Sequence, residues 1–307
     1  MTKLLQTLFD GVTVGSLYAL IALGYTMVYG ILQFINFAHS DVFMVGAWLS
    51  FVVAKTAGWA QAQNSPSWAA LVVLVSAMAA CGLLGFTVER LAYRPLRRAP
   101  RLNVLITAIG ISLLLQNTGQ LRFVFGTQPQ NMPALFADKT LFTLASVHFR
   151  LVDVTVIVLA LALMAILQWL IFGTKLGRAM RAVSYDTRVA SLMGINVDGV
   201  ISFTFVVGSA LAAAAGFLYA TKYPGINQPA HATWVLLGLK AFVAAVVGGI
   251  GNVRGAMLGG LLIGLMEFFG AAYLSPHLRD VYVFSLLILV LLFRPTGLLG
   301  KTVMEKV

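Results

Sequence analysis

The chain alternates between long apolar runs and short polar connections. Nine runs recur, at residues 8–31, 42–53, 68–86, 104–116, 151–172, 201–219, 234–250, 256–273 and 281–293. The runs are continuous rather than alternating, which is typical of membrane helices and not of the strands of a membrane barrel. A full span needs about 20 residues, so runs 42–53 and 104–116 are short unless polar neighbours extend them. The pattern predicts an all-α polytopic membrane protein, a bundle of about eight to nine transmembrane or partly re-entrant helices.

Basic residues are concentrated in two of the connections. Five arginines lie within residues 89–101, and the connection at 173–198 contains Lys175, Arg178, Arg181 and Arg188. Cytoplasmic loops of membrane proteins are enriched in Lys and Arg, so we expect both connections, and the tail with Lys301 and Lys306, to be cytoplasmic. Residues 121–150 then face outward. The amino terminus lies outside if run 42–53 crosses fully, and inside if that run is broken or re-entrant.

Composition supports a membrane protein and argues against other classes. Of 307 residues, 60% are hydrophobic and 10% are charged, with a mean hydropathy of +0.91, whereas roughly a quarter of a soluble domain is charged. No basic stretch falls on a soluble module, so the net charge of +11 does not indicate a nucleic-acid partner. The single cysteine, Cys81, allows neither an intrachain disulfide nor a cysteine-based metal cluster. We expect residues 1–307 to form one transmembrane domain.

A polar interruption between the first two apolar runs is the first candidate site. It contains Asn36, His39, Ser40 and Asp41. Ionisable groups at membrane depth are costly and usually face a cavity or a partner. Many transporters bind solute at an unwound stretch beside a short helix, where helix amides meet a carboxylate. One interpretation makes these four residues the lining of a substrate pathway; the other, compatible with it, is an interfacial turn in which Asp41 caps the next helix.

A glycine-rich stretch at residues 248–260 invites a nucleotide-binding interpretation. It has neither the GxxxxGK[ST] spacing nor a preceding strand. Its glycines instead recur every four residues, which on a helix makes a small face for close packing. The GGIGN sequence at 248–252 is expected to break the helix into a tight cytoplasmic turn, leaving the packing face from Gly255 onward. The candidate packing residues are Gly251, Gly255, Gly259, Gly260 and Gly264.

The basic connection at 173–198 has helical periodicity. Met180 and Val183, and less regularly Thr187, Ala190 and Met193, recur on one side of a predicted short helix that ends at Gly194. Such a helix can press into a groove on a soluble partner or lie on anionic lipid. The residues themselves leave both interpretations open.

Catalytic and metal-binding constellations are not found in the sequence. The four histidines are scattered, without an HExxH motif or a pair four residues apart. Lys240 and Glu267 lie in apolar runs, each isolated from other charges in sequence. Either is a partnered core ion or part of the pathway, and a structural role is preferred for Lys240. We expect no catalytic residue, no metal site and no enzymatic activity.

Several motifs along nearly the whole chain resemble one known family. They are GVTVGSLYAL at 11–20, NFAH at 36–39, YRP at 93–95, GIN at 194–196, KAF at 240–242, GGIG at 248–251 and PTG at 295–297. In this order they are similar to permease subunits of bacterial branched-chain amino acid ABC importers, and most similar to the high-affinity H-type subunit.

The resemblance implies an importer of several subunits in the bacterial inner membrane. The other members would be a second homologous permease subunit in a heterodimer, two cytoplasmic ATPase subunits and a periplasmic amino-acid-binding protein. Residues 173–198 would be the coupling loop that docks on an ATPase. ATP would be hydrolysed on the separate subunits, which leaves no cofactor on this chain. The coupling residues that match are Gly177, Arg178, Arg181, Asp186, Ala190, Gly194 and Asn196.

The implied function is passage of leucine-, isoleucine- and valine-type amino acids by alternating access. The family commonly has NFAHGE where this chain has Ser40 and Asp41, which keeps an acidic group with a shorter reach and removes a flexible glycine. Alternative substrates are therefore urea, short amides or other amino acids. A stand-alone ion-coupled carrier is the alternative class.

Overall fold

A computed structural model describes residues 2–59, 66, 68–97, 99–136, 140–144 and 147–300. Arg98, Lys301 and Lys306, which the sequence assigns to the cytoplasmic side, lie outside these ranges.

The described chain forms eleven α-helices: α1 Thr2–Leu32, α2 His39–Thr56, α3 Ala69–Val88, α4 Arg101–Gly119, α5 Leu151–Gly173, α6 Lys175–Tyr185, α7 Thr187–Leu192, α8 Val197–Lys222, α9 Ala232–Gly248, α10 Val253–Tyr273 and α11 Arg279–Phe293. Beyond α3 the chain continues as a π-helix, Glu89–Tyr93, and a 3₁₀ turn, Arg94–Leu96, and a second 3₁₀ turn, Pro276–Leu278, precedes α11.

Short strands occur in the outward connections. β1 (Gln130–Asn131) pairs antiparallel with β4 (Gly225–Ile226), and β2 (Thr140–Leu144) forms a hairpin with β3 (Val147–Arg150). The first pair joins the outward connections after α4 and α8. The apolar runs did not predict these strands, because the strands are short and lie outside the membrane segments.

The nine apolar runs each coincide with one helix, α1 to α5 and α8 to α11, which confirms the prediction of an all-α polytopic membrane protein. Seven helices of the described chain are long and apolar enough to cross a membrane; α9, with 17 residues, is a shorter apolar helix. Polar neighbours do extend the two short runs. α2 takes in His39, Ser40 and Asp41, and α4 extends from Arg101 to Gly119.

The structure decides on which side the amino terminus lies. The Lys3 Nζ donates to the carbonyl of Ala272 at the end of α10, 2.6 Å away, and the Phe9 ring lies 4.7 Å from that of Phe149 in the outward connection. At the other end of α1, the hydroxyl of Ser184, in the basic connection that the sequence predicts to be cytoplasmic, donates to the carbonyl of Gly30. With that connection inside, α1 runs from outside to inside, although α2 is preceded by an unwound stretch.

α1 is the centre of the bundle and packs most closely on α10. A Cβ added at Gly260 would collide with the backbone of Ala19, and one at Gly264 with the backbone of Gly15. Gly259 lies equally close to Ala244 in α9, and Gly255 to Gly248. Gly251 is different: it lies in the turn before α10 with a φ of +88°, so it does not belong to the helical packing face. Its left-handed backbone serves the turn instead.

Candidate functional site

The helix break between α1 and α2 is the centre of the candidate site. α1 ends at Leu32, residues 33–38 are not helical, and α2 begins at His39. Gln33 has a φ of +54°, a left-handed conformation that non-glycine residues rarely adopt. Non-helical backbone inside a membrane protein is tolerated where it is buried in protein or lines a cavity. The break therefore puts polar backbone and side chains where the helices would otherwise present only apolar groups.

The four predicted pathway residues divide between the break and the helix. Asn36 lies in the unwound stretch, whereas His39, Ser40 and Asp41 form the first turn of α2. Asp41 does not cap the helix, because Ala38 occupies the cap position and no side chain bonds there. Instead the Asp41 Oδ1 accepts a hydrogen bond from the Gln116 Nε2 of α4, 2.9 Å away. The Asp41 side chain is 0% exposed.

Two buried polar atoms without a partner lie on the turn of α2 that follows this break. Among the described residues, four buried side-chain atoms lack a hydrogen bond, and three of them are Thr26 Oγ1, His39 Nε2 and Asp41 Oδ2. Such groups are rare and costly in folded proteins and call for an explanation. Two of the three lie on a single turn of α2. A solute carrying both donors and acceptors would satisfy them.

Neighbouring helices enclose this turn closely with aromatic and small residues. The ring of His39 lies 4.7 Å from that of Tyr25, which in turn lies 5.9 Å from Phe242 of α9. Side chains added at Gly24 or Gly238 would collide with His39 and Ser40 respectively. The first turn of α2 thus carries a carboxylate and an imidazole, and α1 and α9 pack aromatic and small residues around it.

The predicted coupling segment consists of two helices instead of one. α6 and α7 are separated at Asp186, which has an extended backbone and whose Oδ1 accepts from the amides of Arg188 and Val189. These amides hold the pKa of Asp186 below its usual range. The carboxylate is therefore ionised and caps α7 at neutral pH, and the cap is lost only on acidification through that lowered pKa.

The seven predicted coupling residues have different positions. Gly177 and Ala190 are buried against the bundle, and Asn196 caps α8 by accepting from the Gly199 amide. α7 ends at Leu192, and Gly194 follows with a φ of +80°. The others are exposed: Arg178, Arg181, Asp186 and Gly194 itself.

The exposed side of α6 and α7 carries large apolar side chains. Tyr185 is 95% exposed, Leu192 86% and Met193 78%. The sequence periodicity correctly placed Met180, Val183 and Ala190 on the inner side, but it also assigned Thr187 and Met193, which are exposed, to that side. Exposed apolar patches of this kind are typical of protein–protein contacts.

Lys240 and Glu267, isolated in sequence, meet in the structure. The Lys240 Nζ lies 2.9 Å from the Glu267 Oε1 and 2.7 Å from the Asp280 Oδ1. The Tyr18 hydroxyl donates to the other Glu267 oxygen, at 2.7 Å. This ion cluster joins α1, α9, α10 and α11, so Lys240 and Glu267 are partnered core ions.

The arginine-rich connection forms a second ion cluster that the sequence did not predict. Arg97 pairs with the fully buried Glu89 and with Asp198, and Arg94 pairs with Asp198 as well. The Ser202 hydroxyl donates to Glu89 at 2.5 Å. Charge count alone identified these arginines as an orientation signal, whereas the partner that Arg94 and Arg97 share, Asp198, lies about a hundred residues away in α8.

Comparison with known proteins identifies relatives along almost the whole chain. A family model described as "Branched-chain amino acid transport system / permease component" matches residues 7–292. The chain is 43% identical to the high-affinity branched-chain amino acid transport system permease protein BraD of Pseudomonas aeruginosa, over 99% of this chain and 98% of that protein. It is 44% identical to LivH of Salmonella typhimurium, a permease protein with the same description, over 99% and 97%. The probable branched-chain amino acid transport permease protein LivH of Methanocaldococcus jannaschii is 30% identical, over 93% and 89%.

Proposed function

Because the chain belongs to the family of permease components of branched-chain amino acid transport systems, we propose that it is the membrane-spanning subunit of an ATP-driven importer of leucine-, isoleucine- and valine-type amino acids. The observation that carries this proposal is the identity of 44% over 99% of the chain to a high-affinity permease protein of that description. The chain works as a multi-pass protein of the bacterial inner membrane, and it transports rather than catalyses.

The solute path passes the break between α1 and α2. The free Asp41 Oδ2 faces the ammonium of the amino acid, and the positive end of the α2 dipole with His39 faces its carboxylate. Tyr25 and Phe242 provide apolar surface for a branched aliphatic side chain. The support for this arrangement is that two unpartnered polar atoms, His39 Nε2 and Asp41 Oδ2, lie on the first turn of α2, and that Tyr25 of α1 packs on that turn at His39.

Other subunits supply the energy and the high affinity. A second homologous permease subunit pairs with this chain in a heterodimer, two cytoplasmic ATPases drive it, and a periplasmic amino-acid-binding protein delivers the solute. α6 and α7 dock on an ATPase through their exposed apolar side chains and the arginines Arg178 and Arg181, while the apolar outer faces of the bundle contact membrane lipid. Closure of the ATPase pair then switches the path between outward and inward access.

Transport by the assembled importer is the direct test. We expect proteoliposomes that contain this chain, the second permease subunit and both ATPases to accumulate radiolabelled leucine when ATP is inside and loaded binding protein is outside. Vesicles with a non-hydrolysable ATP analogue are the control. Uptake by this chain alone, driven by an ion gradient and indifferent to ATP, would contradict the proposal in favour of a stand-alone carrier. ATP-driven uptake of urea or an amide but not leucine would contradict the substrate assignment.

The coupling surface allows a second prediction. Replacing Tyr185 and Leu192 together with serine should lower ATP-driven uptake at least about tenfold, because buried apolar anchors carry most of the energy of an interface. The fold should be unaffected, since both side chains are exposed. Retention of the ATPases during purification measures docking directly. The matched control is Phe123→Ser, an equally exposed aromatic at 84% on the outward side, which should keep the ATPases bound. Full retention in the double variant would exclude these two residues from the interface.

A further inference from the structure

The turn that follows α3 is tied to the start of α8. Within the π-helix Glu89–Tyr93, both end residues are buried, Glu89 at 0% and Tyr93 at 1% exposure. Glu89 holds Arg97, and Arg94 and Arg97 together hold Asp198. Asp198 lies two residues after Asn196, the cap of α8 where the coupling segment ends. A movement of α6 and α7 that displaces the start of α8 therefore displaces this turn.

The same π-helix reaches the helix break. The Tyr93 hydroxyl donates to the Asn36 Oδ1 at 2.6 Å, and both groups are buried. The Tyr93 ring is held between Phe34, at 5.2 Å, and Phe205 of α8, at 5.3 Å. π-Helical turns are rare and occur frequently at functional sites. Here the turn directs the ion-paired Glu89 and the hydroxyl of Tyr93 into one buried region.

A second contact reaches the other side of the break. Ser184, near the end of α6, donates to the carbonyl of Gly30, close to the end of α1. Residues 33–38 are thus held by one contact just before them, at Gly30, and by one within them, at Asn36. Because these six residues lack a helical hydrogen-bond ladder, they are the part of the path that can change conformation most easily.

We infer that the hydrogen bond between Tyr93 and Asn36 transmits the movement of α6 and α7 to the solute path. The inference rests on the proposed function and adds to it the route by which ATPase closure reaches the break. Movement of the coupling segment shifts Asp198, the ion pairs carry the shift to the π-helix, and Tyr93 pulls Asn36. Tyr93 is a positioning residue, since its hydroxyl bonds to Asn36, whereas Asp41 Oδ2, the atom proposed to meet the solute, has no hydrogen-bond partner among the described residues.

The test is the number of ATP molecules hydrolysed per leucine imported by the full importer in proteoliposomes. Tyr93→Phe keeps the ring and removes the hydroxyl; Asn36→Leu removes the acceptor at similar volume. Each variant should raise the ratio roughly fivefold, the effect expected from losing one buried hydrogen bond. The double variant should raise it no further, because both changes break the same bond. The ratio does not depend on how much complex assembles, so a poorly expressed variant still gives an answer.

Tyr282→Phe is the matched control. It also removes one hydroxyl, which bonds to the backbone of Ser275 on the outward side at 3.1 and 3.2 Å, and it should leave the ratio unchanged. An unchanged ratio in Tyr93→Phe, or additive effects in the double variant, would overturn the inference while leaving the proposed function intact. Absence of ATP-driven uptake in the unaltered importer would overturn both.

Discussion

Lys240→Met will destabilise the protein by about 3–5 kcal/mol, because it removes the ammonium between two carboxylates that remain in place. Glu267 is buried and then keeps only the Tyr18 hydroxyl, and Asp280 loses its ion pair. The unfolding midpoint of purified protein in detergent should fall by roughly 10 °C. α11 should be affected first, since Asp280 lies in its first turn.

Two further variants distinguish the stability lost with the Lys240 ion pairs from the effect of removing a lysine elsewhere in the chain. Lys55→Met removes an exposed ammonium at the end of α2 that lies over the Phe51 ring, at 5.6 Å, and it should change the midpoint little. Adding Glu267→Gln and Asp280→Asn to Lys240→Met should recover much of the lost stability, because no buried charge is then left alone. Equal midpoints for Lys240→Met and Lys55→Met would show that the cluster does not stabilise the fold.

Asp41→Asn will lower ATP-driven leucine uptake roughly 100-fold, the size expected when one member of a buried charge pair loses its charge. The variant should fold normally, because an amide is less costly to bury than a carboxylate and can still bond to Gln116. The measurement is the initial rate of uptake at saturating binding protein, together with the unfolding midpoint. Asp41→Glu should keep transport, since it keeps the charge and restores the residue that the family commonly has.

Asp10→Asn is the matched control for this prediction. Asp10 also accepts from a glutamine side chain, Gln6 at 3.3 Å, but it lies near the outward end of α1. Its replacement should alter uptake less than about twofold, the scale of an exposed polar contact. Equal uptake by Asp41→Asn and Asp10→Asn would remove Asp41 from the solute path.

Much of the fold could be predicted from the sequence. Each of the nine apolar runs is a helix, and the family inferred from the motifs is confirmed by the match over residues 7–292. The sequence also predicted a helix break at residues 248–252, and the chain turns at residues 249–252, with Gly251 in the turn and Gly255, Gly259, Gly260 and Gly264 in close helix contacts. These features were accessible because lipid leaves the backbone of each run no alternative to a helix, and because glycine spacing is local information.

The candidate site was predicted only in outline. The sequence indicated Asn36 to Asp41 as a polar interruption, but not that the helix begins at His39 or that Asp41 pairs with Gln116, 75 residues away. Similarly, one coupling helix was predicted where Asp186 divides the segment into two. An aspartate within a helix, such as Asp41, and an aspartate that caps a helix, such as Asp186, cannot be told apart from the sequence. The difference depends on the backbone angles at each residue, and packing selects those angles.

The sequence by itself determined that this chain is a helical membrane permease and where its polar residues interrupt the apolar runs, and its basic loops predict an orientation. Those properties follow from hydropathy and charge summed over neighbouring residues. Only the tertiary structure decided the side of the amino terminus, the partners of Lys240 and Glu267, and the contact between Tyr93 and Asn36. Each of these joins residues far apart in the chain, and hydrogen bonds and ion pairs form only within about 3 Å. Helix packing alone determines which distant groups come that close.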